Sequence, residues 1–182
     1  MSLTIVTGPD IEPIPLSLAR QHLRADDDEA ENLYISTLVA AAREYCEASQ
    51  GRAYITREYA LLVPAAVAIE LPMAPLQEVT EVAALDAAGV STEITGYTVD
   101  ATGAIAVVSI DEPPSGTEHI QITYTAGYGD ACADVPARMR QAMLLLIGHW
   151  YATREAVATN AQGEVPFAVS ALLTQDRVQW GF

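Results

Sequence analysis

The chain has 182 residues, of which 51% are hydrophobic and 18% are charged, which is the composition of a folded domain and not of a disordered chain. Its formal net charge is −15 and all nine basic residues are arginine, so its surface repels phosphate and ordinary binding to duplex DNA is disfavoured. No apolar run approaches the ~18 residues of a membrane span, and no signal peptide is evident, so we expect a cytoplasmic protein before any assembly.

The N-terminal third predicts an extended arm followed by two helices. Residues 1–12 have no periodic pattern, whereas residues 14–23 predict a short helix and residues 24–51 a long one that ends at Gly51. The carboxylates of residues 26–31 open the long helix, where acids cap free N–H groups and face the positive end of the helix dipole. A metal site is the alternative for this cluster, but it lacks the glycine and the distal glutamate of a calcium loop.

The periodicity changes to that of β-strands over residues 53–129. Short runs that are rich in β-formers or alternate in polarity predict five or six antiparallel strands. These runs are residues 54–63, 67–72, 78–85, 91–100, 103–110 and 119–127. The sequence DAAG at 86–89 is typical of a hairpin turn between two of them.

Residues 135–157 predict the second long helix, with Asp134 as its cap and Pro136 in its first turn. Its apolar residues recur at the spacing of an amphipathic stripe. The stripe consists of Met139, Ala142, Met143, Leu146, Ile147 and Trp150. With Tyr45 of the first long helix, we expect Met143, Ile147 and Trp150 to anchor the core.

The predicted fold class is α+β, a small helical bundle of two main helices and short helices with an antiparallel β insertion of five to six short strands. We expect one domain over residues 1–157, with helical parts at 13–51 and 135–157 and the insertion at 53–129. Residues 158–182 begin polar and become apolar, which indicates a linker and a tail that orders on assembly.

Catalytic chemistry finds little support in the sequence. The histidines are His22, His119 and His149, and no GxSxG nucleophile motif accompanies them. His149 precedes the apolar stripe residue Trp150, so a structural or interface role is favoured over that of a general base. The cysteines Cys46 and Cys132 lack zinc-site spacing and are expected to be free thiols.

The sequence GYGDAC at 127–132 follows a strand and precedes a helix, as a dinucleotide-binding loop would. Cys132 occupies the place of the third glycine, and the helix is expected to begin several residues later. A phosphate could therefore not sit on the N-terminus of that helix. No cofactor and no metal are predicted.

The order of the elements resembles a known family. The sequence contains PLSLARQHL, then DDDEAENLYISTLVAAAREYCEASQGRAYITRE, then ELPMAPLQEV, then ITYTAGYGD and VPARMRQAMLLLIGHWYATRE. Together these segments resemble the head–tail connector proteins of long-tailed phages and prophages, which include adaptor, head-completion and DNA-packaging proteins. The resemblance covers residues 13–157, and one departure is Gln21, where the family often carries a lysine.

The resemblance implies a structural, non-enzymatic protein of the virion, located at the head–tail junction. It implies a ring, typically of twelve copies, that joins the portal protein to the next connector, stopper or tail component. DNA would pass through the lumen of that ring without sequence-specific binding. No contact with a membrane is implied.

The acidic residues fit such a ring. No lysine or arginine lies between Arg57 and Arg138, and twelve acids lie in that window. They are Glu58, Glu70, Glu78, Glu81, Asp86, Glu93, Asp100, Asp111, Glu112, Glu118, Asp130 and Asp134. Such a surface would let DNA slide past without adhering.

Candidate contacts with a neighbouring subunit or partner lie at the ends of the second long helix and in the tail. They are Arg138, Arg140, His149, Tyr151, Arg154, Glu155, Val165, Pro166, Phe167, Leu172 and Leu173. Two alternatives stay open: a small cytoplasmic, hydrolase-like enzyme that uses His149 or His119, and an acidic module that binds another protein.

Overall fold

A computed structural model describes residues 1–153 and 167–178, whose helices and strands separate into two units. The helical unit contains residues 10–50 and the described residues from 129 onward, and the β unit contains residues 1–9 and 51–128. The expected α+β class with antiparallel strands is confirmed. No helix in the described ranges has the length and apolarity that a bilayer span requires.

The helical unit consists of α1 (Leu16–Leu23), α2 (Glu29–Gln50), α3 (Ala137–Ala152) and α4 (Phe167–Thr174). Helix α2 packs against the other three, and its apolar face meets that of α3. The shared core contains Ile35, Leu38, Val39, Ala42, Cys46, Met139, Ala142, Met143, Leu146, Ile147, Val169 and Leu173.

The ends of α1 and α2 follow local chemistry. Helix α1 ends at Leu23, and its C-cap residue Arg24 takes a left-handed conformation with φ 54°. The Asp28 carboxylate then accepts the Glu31 N–H at 3.1 Å, which caps the start of α2 as the acidic cluster predicted. Gly51, with φ 66°, lies directly after the last residue of α2.

The β unit contains eight strands in two antiparallel sheets. They are β1 (Ser2–Thr7), β2 (Arg57–Pro64), β3 (Ala68–Leu71), β4 (Leu76–Asp86), β5 (Ser91–Glu93), β6 (Tyr97–Asp100), β7 (Ala106–Ile110) and β8 (Thr117–Ala126). The first sheet has the order β1-β2-β8-β4-β5 and the second has the order β3-β7-β6. Both sheets contribute one face to a single buried cluster, since Tyr59, Ile122 and Val82 pack with Val108 and Ile69.

Two differences raise the strand count above the predicted five or six. The arm at the N-terminus is strand β1, which pairs with β2 through partners such as Thr4 and Ala60. The run 91–100 is two strands in different sheets, because β5 pairs with β4 while β6 pairs with β7. The hairpin turn at 86–89 is as expected, with the Asp86 carboxylate accepting the N–H groups of Ala88 and Val90.

Helix α3 begins differently from the prediction. Pro136 is its N-cap residue, and no side chain caps the first turn. The Asp134 carboxylate instead accepts the N–H of Ala131 at 2.9 Å, so it closes the preceding turn. The expectation that Asp134 caps the helix is therefore wrong, because its carboxylate bonds to an N–H group that lies before the helix.

Candidate functional site

The predicted interface residues lie at both ends of α3 and on α4. Arg138 and Arg140 lie in the first turn of α3, His149 and Tyr151 lie in its last turn, and Phe167 begins α4. Leu172 and Leu173 lie in the last turn of α4. The remaining candidates, Arg154, Glu155, Val165 and Pro166, lie outside the described residues.

Arg138 forms an ion pair within its own chain. Its Nε and Nη2 both contact the carboxylate of Asp176, which follows α4, while 48% of the Arg138 side chain is exposed. This two-point contact ties the segment after α4 to the start of α3. Arg138 thus has a carboxylate partner within its own chain, and its contact with a neighbouring subunit stays a prediction.

Arg140 differs from Arg138 in its surroundings. Its side chain is half-buried, and its Nε is buried without a hydrogen-bond partner among the described residues. A buried guanidinium donor that lacks an acceptor is costly, so an acceptor from a partner would be favourable there. Arg140 therefore stays a candidate interface residue.

The last turn of α3 contacts α2. The Tyr151 hydroxyl donates a short hydrogen bond to the Glu31 carboxylate, and the Tyr151 and Tyr34 rings lie 6.2 Å apart. His149 is half-buried, and its carbonyl oxygen accepts the N–H and the hydroxyl of Thr153. Tyr151 thus has an intramolecular role at the start of α2 in addition to any contact with a partner.

The four predicted core anchors divide into two pairs. Met143 and Ile147 are fully buried, whereas Trp150 is half-buried and meets the ring of Tyr45 edge-on at 6.2 Å. Tyr45 is 38% exposed, so the expectation that it anchors the core is wrong. The reason is helix geometry, since the adjacent Cys46 occupies the buried face and one residue turns the helix by about 100°.

Helix α4 packs against the end of α2. Leu173 and Val169 are buried, and the Gln50 side-chain amide donates to the Leu173 carbonyl oxygen at 2.9 Å. The Val178 N–H in turn donates to the Gln50 carbonyl oxygen at 2.8 Å. Leu172 is half-buried, whereas Phe167 is 88% exposed at the other end of the helix.

A buried ion cluster in the helical unit was missed by the sequence analysis. The Arg43 guanidinium donates from Nε to Glu12 at 2.8 Å and from Nη1 to Glu47 at 3.0 Å, and Glu47 is 2% exposed. Burial lowers the pKa of Arg43, but the bonds to Glu12 and Glu47 outweigh burial and hold that pKa above its ordinary value. The only available signal was the spacing of Arg43 and Glu47 at i and i+4.

The histidines named for an enzyme lie in ordinary structural positions. His119 is exposed on β8, opposite Pro64 and Leu85 in the ladder. Two mainly apolar cavities of about 310 and 340 Å³ contain no histidine in their linings. Within the described ranges no three His, Cys, Asp or Glu side chains converge as metal ligands would. Cys46 and Cys132 are free thiols, as expected.

The segment GYGDAC serves backbone packing. The Tyr128 N–H donates to the Tyr54 carbonyl oxygen at 3.2 Å within the β unit. In the helical unit Gly129 lies against the Asp134 carboxylate, where a β-carbon would collide with it. Since α3 begins only at Ala137, these glycines do not form a phosphate loop at its N-terminus.

The acidic window is a feature of the surface. Eleven of its twelve carboxylates are exposed, and Glu58 is half-buried. Ten of the twelve belong to the β unit, while Asp130 and Asp134 belong to the helical unit. Exposed acids without lysine between them produce a negative surface potential.

Comparison with known proteins identifies the class. Residues 19–168 match the model of the family "Head completion protein". A chain from the neck of an empty gene transfer agent (GTA) particle, computed with C6 symmetry, is 28% identical, with a TM-score of 0.84. A chain from the neck of a native GTA particle, computed with C12 symmetry, is 28% identical, with a TM-score of 0.77. Both alignments cover 100% of this chain and 98% of the other.

A third structure, the virion of a native gene transfer agent particle, contains a chain that is 27% identical, with a TM-score of 0.82. None of the curated protein sequences compared with the chain matches it. The family match covers most of the chain, and the chain therefore belongs to the head completion protein family. The prediction of a structural virion protein that is not an enzyme is confirmed on this ground.

Proposed function

We propose that the chain forms a ring, of twelve copies in the virion, at the portal vertex of a phage-like particle. There it joins the head to the tail and extends the DNA channel. The observation that carries this proposal is the likeness over 100% of the chain to a chain from the neck of a gene transfer agent particle computed with C12 symmetry. Rings of this kind need contacts between two different surfaces of each copy.

The charge distribution supports a channel that does not retain DNA. The net charge is −15, and the exposed acids of the β unit have no lysine beside them. A phosphate backbone is repelled by such a surface, so DNA passes without sequence-specific binding.

The partners in this proposal are the portal protein on one side and the next connector, stopper or tail component on the other. Among the described candidates, Phe167 and Arg140 are the strongest for these contacts. Phe167 exposes an aromatic ring, and Arg140 buries a donor without an acceptor among the described residues. Within residues 158–182, Val169 and Leu173 pack in the helical unit, and in this proposal the exposed Phe167 contacts the portal or a neighbouring copy.

The first experiment removes the gene from a genome that encodes the chain and images the particles that form. We expect heads without attached tails, and a plasmid copy of the gene restores the complete particles. Twelvefold averaging of the necks should then show the chain between head and tail. Normal tailed particles in the deletion strain would refute the proposed function.

A second experiment tests the channel surface. Retention of a short DNA duplex is measured at low salt for the purified chain and for the triple variant Glu78→Lys, Glu81→Lys and Glu93→Lys. We expect no retention of DNA by the natural chain and salt-sensitive retention by the variant, because three repulsive charges become attractive. The triple variant Glu78→Gln, Glu81→Gln and Glu93→Gln is the control. Retention by the natural chain would contradict passage without binding.

A further inference from the structure

The N-terminal strand β1 lies at a free edge of the five-stranded sheet. Among the described residues it pairs with β2 and with no other strand, and all six of its residues are exposed. An edge strand presents a row of backbone N–H and C=O groups that another strand can bind. The edge is therefore open to the addition of a strand.

This edge lacks most of the usual protection against pairing. Residues 1–9 contain no charged side chain, and the register shift between Ile5 and Thr7 is the one irregularity in the pairing with β2. Leu3, Ile5 and Val6 are all exposed, with Ile5 at 52%. Proteins normally protect such edges with lysine, proline or an inward charge, so an exposed apolar edge indicates an interaction site.

The apolar surface continues beyond the strand within the β unit. A cavity of about 340 Å³ lies beside it, lined by Met1, Val63, Pro64, Ala65, Ala66, Ala68, Ile69 and Glu70. Val67, in the same loop, is also exposed. An added strand would therefore find pockets for its side chains next to the backbone edge.

We propose that β1 is the edge through which each copy adds a strand to the sheet of the next copy in the ring. This inference rests on the ring proposed above. A second copy is the favoured occupant because the proposed ring requires contacts between copies. Two chains of net charge −15 repel each other across most of their surfaces, so close approach is easiest at an edge without charged side chains, such as β1. The same lack of charge disfavours DNA as the occupant.

Ring closure restricts how the edge is used. Pairing of β1 with β1 of a second copy would be symmetric and would stop at a dimer. A ring requires β1 to meet a different edge of its neighbour. In the described part of the chain, the other free edges are β5 of the same sheet and β3 and β6 of the smaller sheet.

The test is sedimentation velocity of the full chain from micromolar to millimolar concentration, combined with hydrogen exchange of the β1 amides. The variants are Ile5→Lys, its conservative counterpart Ile5→Val, and Leu33→Lys. Leu33 is 72% exposed on α2, so this control adds the same charge outside the β unit. Circular dichroism and the melting temperature establish that each variant is folded.

We expect the natural chain to form species larger than a dimer, with exchange of the β1 amides slowing as it assembles. Ile5→Lys should raise the dissociation constant by about tenfold or more, while Ile5→Val and Leu33→Lys leave it unchanged. A chain that stays monomeric at millimolar concentration, one that stops at a dimer, or equal weakening by both lysine variants would overturn the inference. If the β1 amides exchange slowly only after portal protein is added, the inference is overturned as well.

These outcomes are distinct from failure of the proposed function. If deletion of the gene yields tailless heads but the Ile5→Lys chain still restores normal necks, the head–tail role stands and the assignment of β1 falls.

Discussion

Gly127 lies against the backbone of Thr56. A β-carbon on Gly127 would lie 2.6 Å from the Thr56 backbone nitrogen and 2.7 Å from the carbonyl carbon of Ile55. Its φ of 142° is also one that residues with a β-carbon rarely adopt. The glycine therefore permits two backbone segments of the β unit to meet directly after β8.

Replacement of this glycine should destabilise the β unit. We expect Gly127→Ala to lower the free energy of unfolding by about 2–4 kcal/mol, because the neighbouring atoms are backbone and cannot move aside. Gly8→Ala is the matched control, since nothing lies within 4 Å of a β-carbon there, and its effect should stay within about 0.5 kcal/mol. Urea unfolding measures both, and equal midpoints for the two variants would contradict the assignment.

The Arg43 cluster should contribute more to stability than an exposed ion pair does. Arg43→Gln removes the arginine partner of Glu47, which is nearly inaccessible to water, so we expect a loss of about 3 kcal/mol. Arg20→Gln is the control, since Arg20 contacts the exposed Asp27 at 2.7 Å and should change the unfolding midpoint little. A loss for Arg43→Gln no larger than that for Arg20→Gln would show that the cluster does not stabilise the unit.

Tyr124 makes the free energy of unfolding fall at alkaline pH. Its hydroxyl donates to the buried Pro72 carbonyl oxygen at 2.7 Å, and burial, with a smaller contribution from Tyr59, raises the pKa of Tyr124 far above its usual 10.0. The unfolded chain releases this proton near pH 10.0 while the folded chain keeps it, so stability falls as the pH rises above that value.

Tyr124→Phe tests this dependence. We expect a loss of about 1–2 kcal/mol at pH 8, because the Pro72 carbonyl loses its donor, and a weaker decline of stability above pH 10 than in the natural chain. Tyr45→Phe, at an exposed ring, should retain the natural pH profile. If Tyr124→Phe also retained that profile, another group would have to cause the alkaline decline.

Substitutions of Leu173 and Phe167, both in α4, should affect different properties: Leu173 the folding of the chain and Phe167 its assembly. Leu173 is buried, so Leu173→Ala should lower the free energy of unfolding by about 2–4 kcal/mol. Phe167 is exposed, so Phe167→Ala should leave stability within about 0.5 kcal/mol while it weakens binding to portal-bearing heads. Unchanged binding of the Phe167→Ala chain would remove this residue from the predicted interface.

Local patterns predicted the elements whose stability is largely local. The 3.6-residue period located α2 and α3, and Asp28 and Gly51 marked the limits of α2 through capping chemistry that depends on near neighbours. The turn at Asp86 was also evident, because its side chain bonds to N–H groups two and four residues ahead. Family resemblance supplied the structural role, which no single motif carried.

Contacts between distant residues were outside the reach of such patterns. Strand β1 exists because residues 2–7 pair with β2, more than fifty residues later, and its own sequence has no strand signal strong enough to predict it. The ion pair of Arg138 with Asp176 joins residues 38 positions apart, and no local pattern indicated it. Tyr45 fits the helical period, yet it lies at the rim of the face that α3 covers.

The sequence by itself determined the class of fold, the long helices, most of the strands and the acidic surface, because these follow from spacing and composition. Only the tertiary structure decided which sheet edge stays open, which charges are paired and which apolar side chains stay exposed. Those properties depend on where distant segments pack, and the free energy of that packing is spread over many residues instead of one motif.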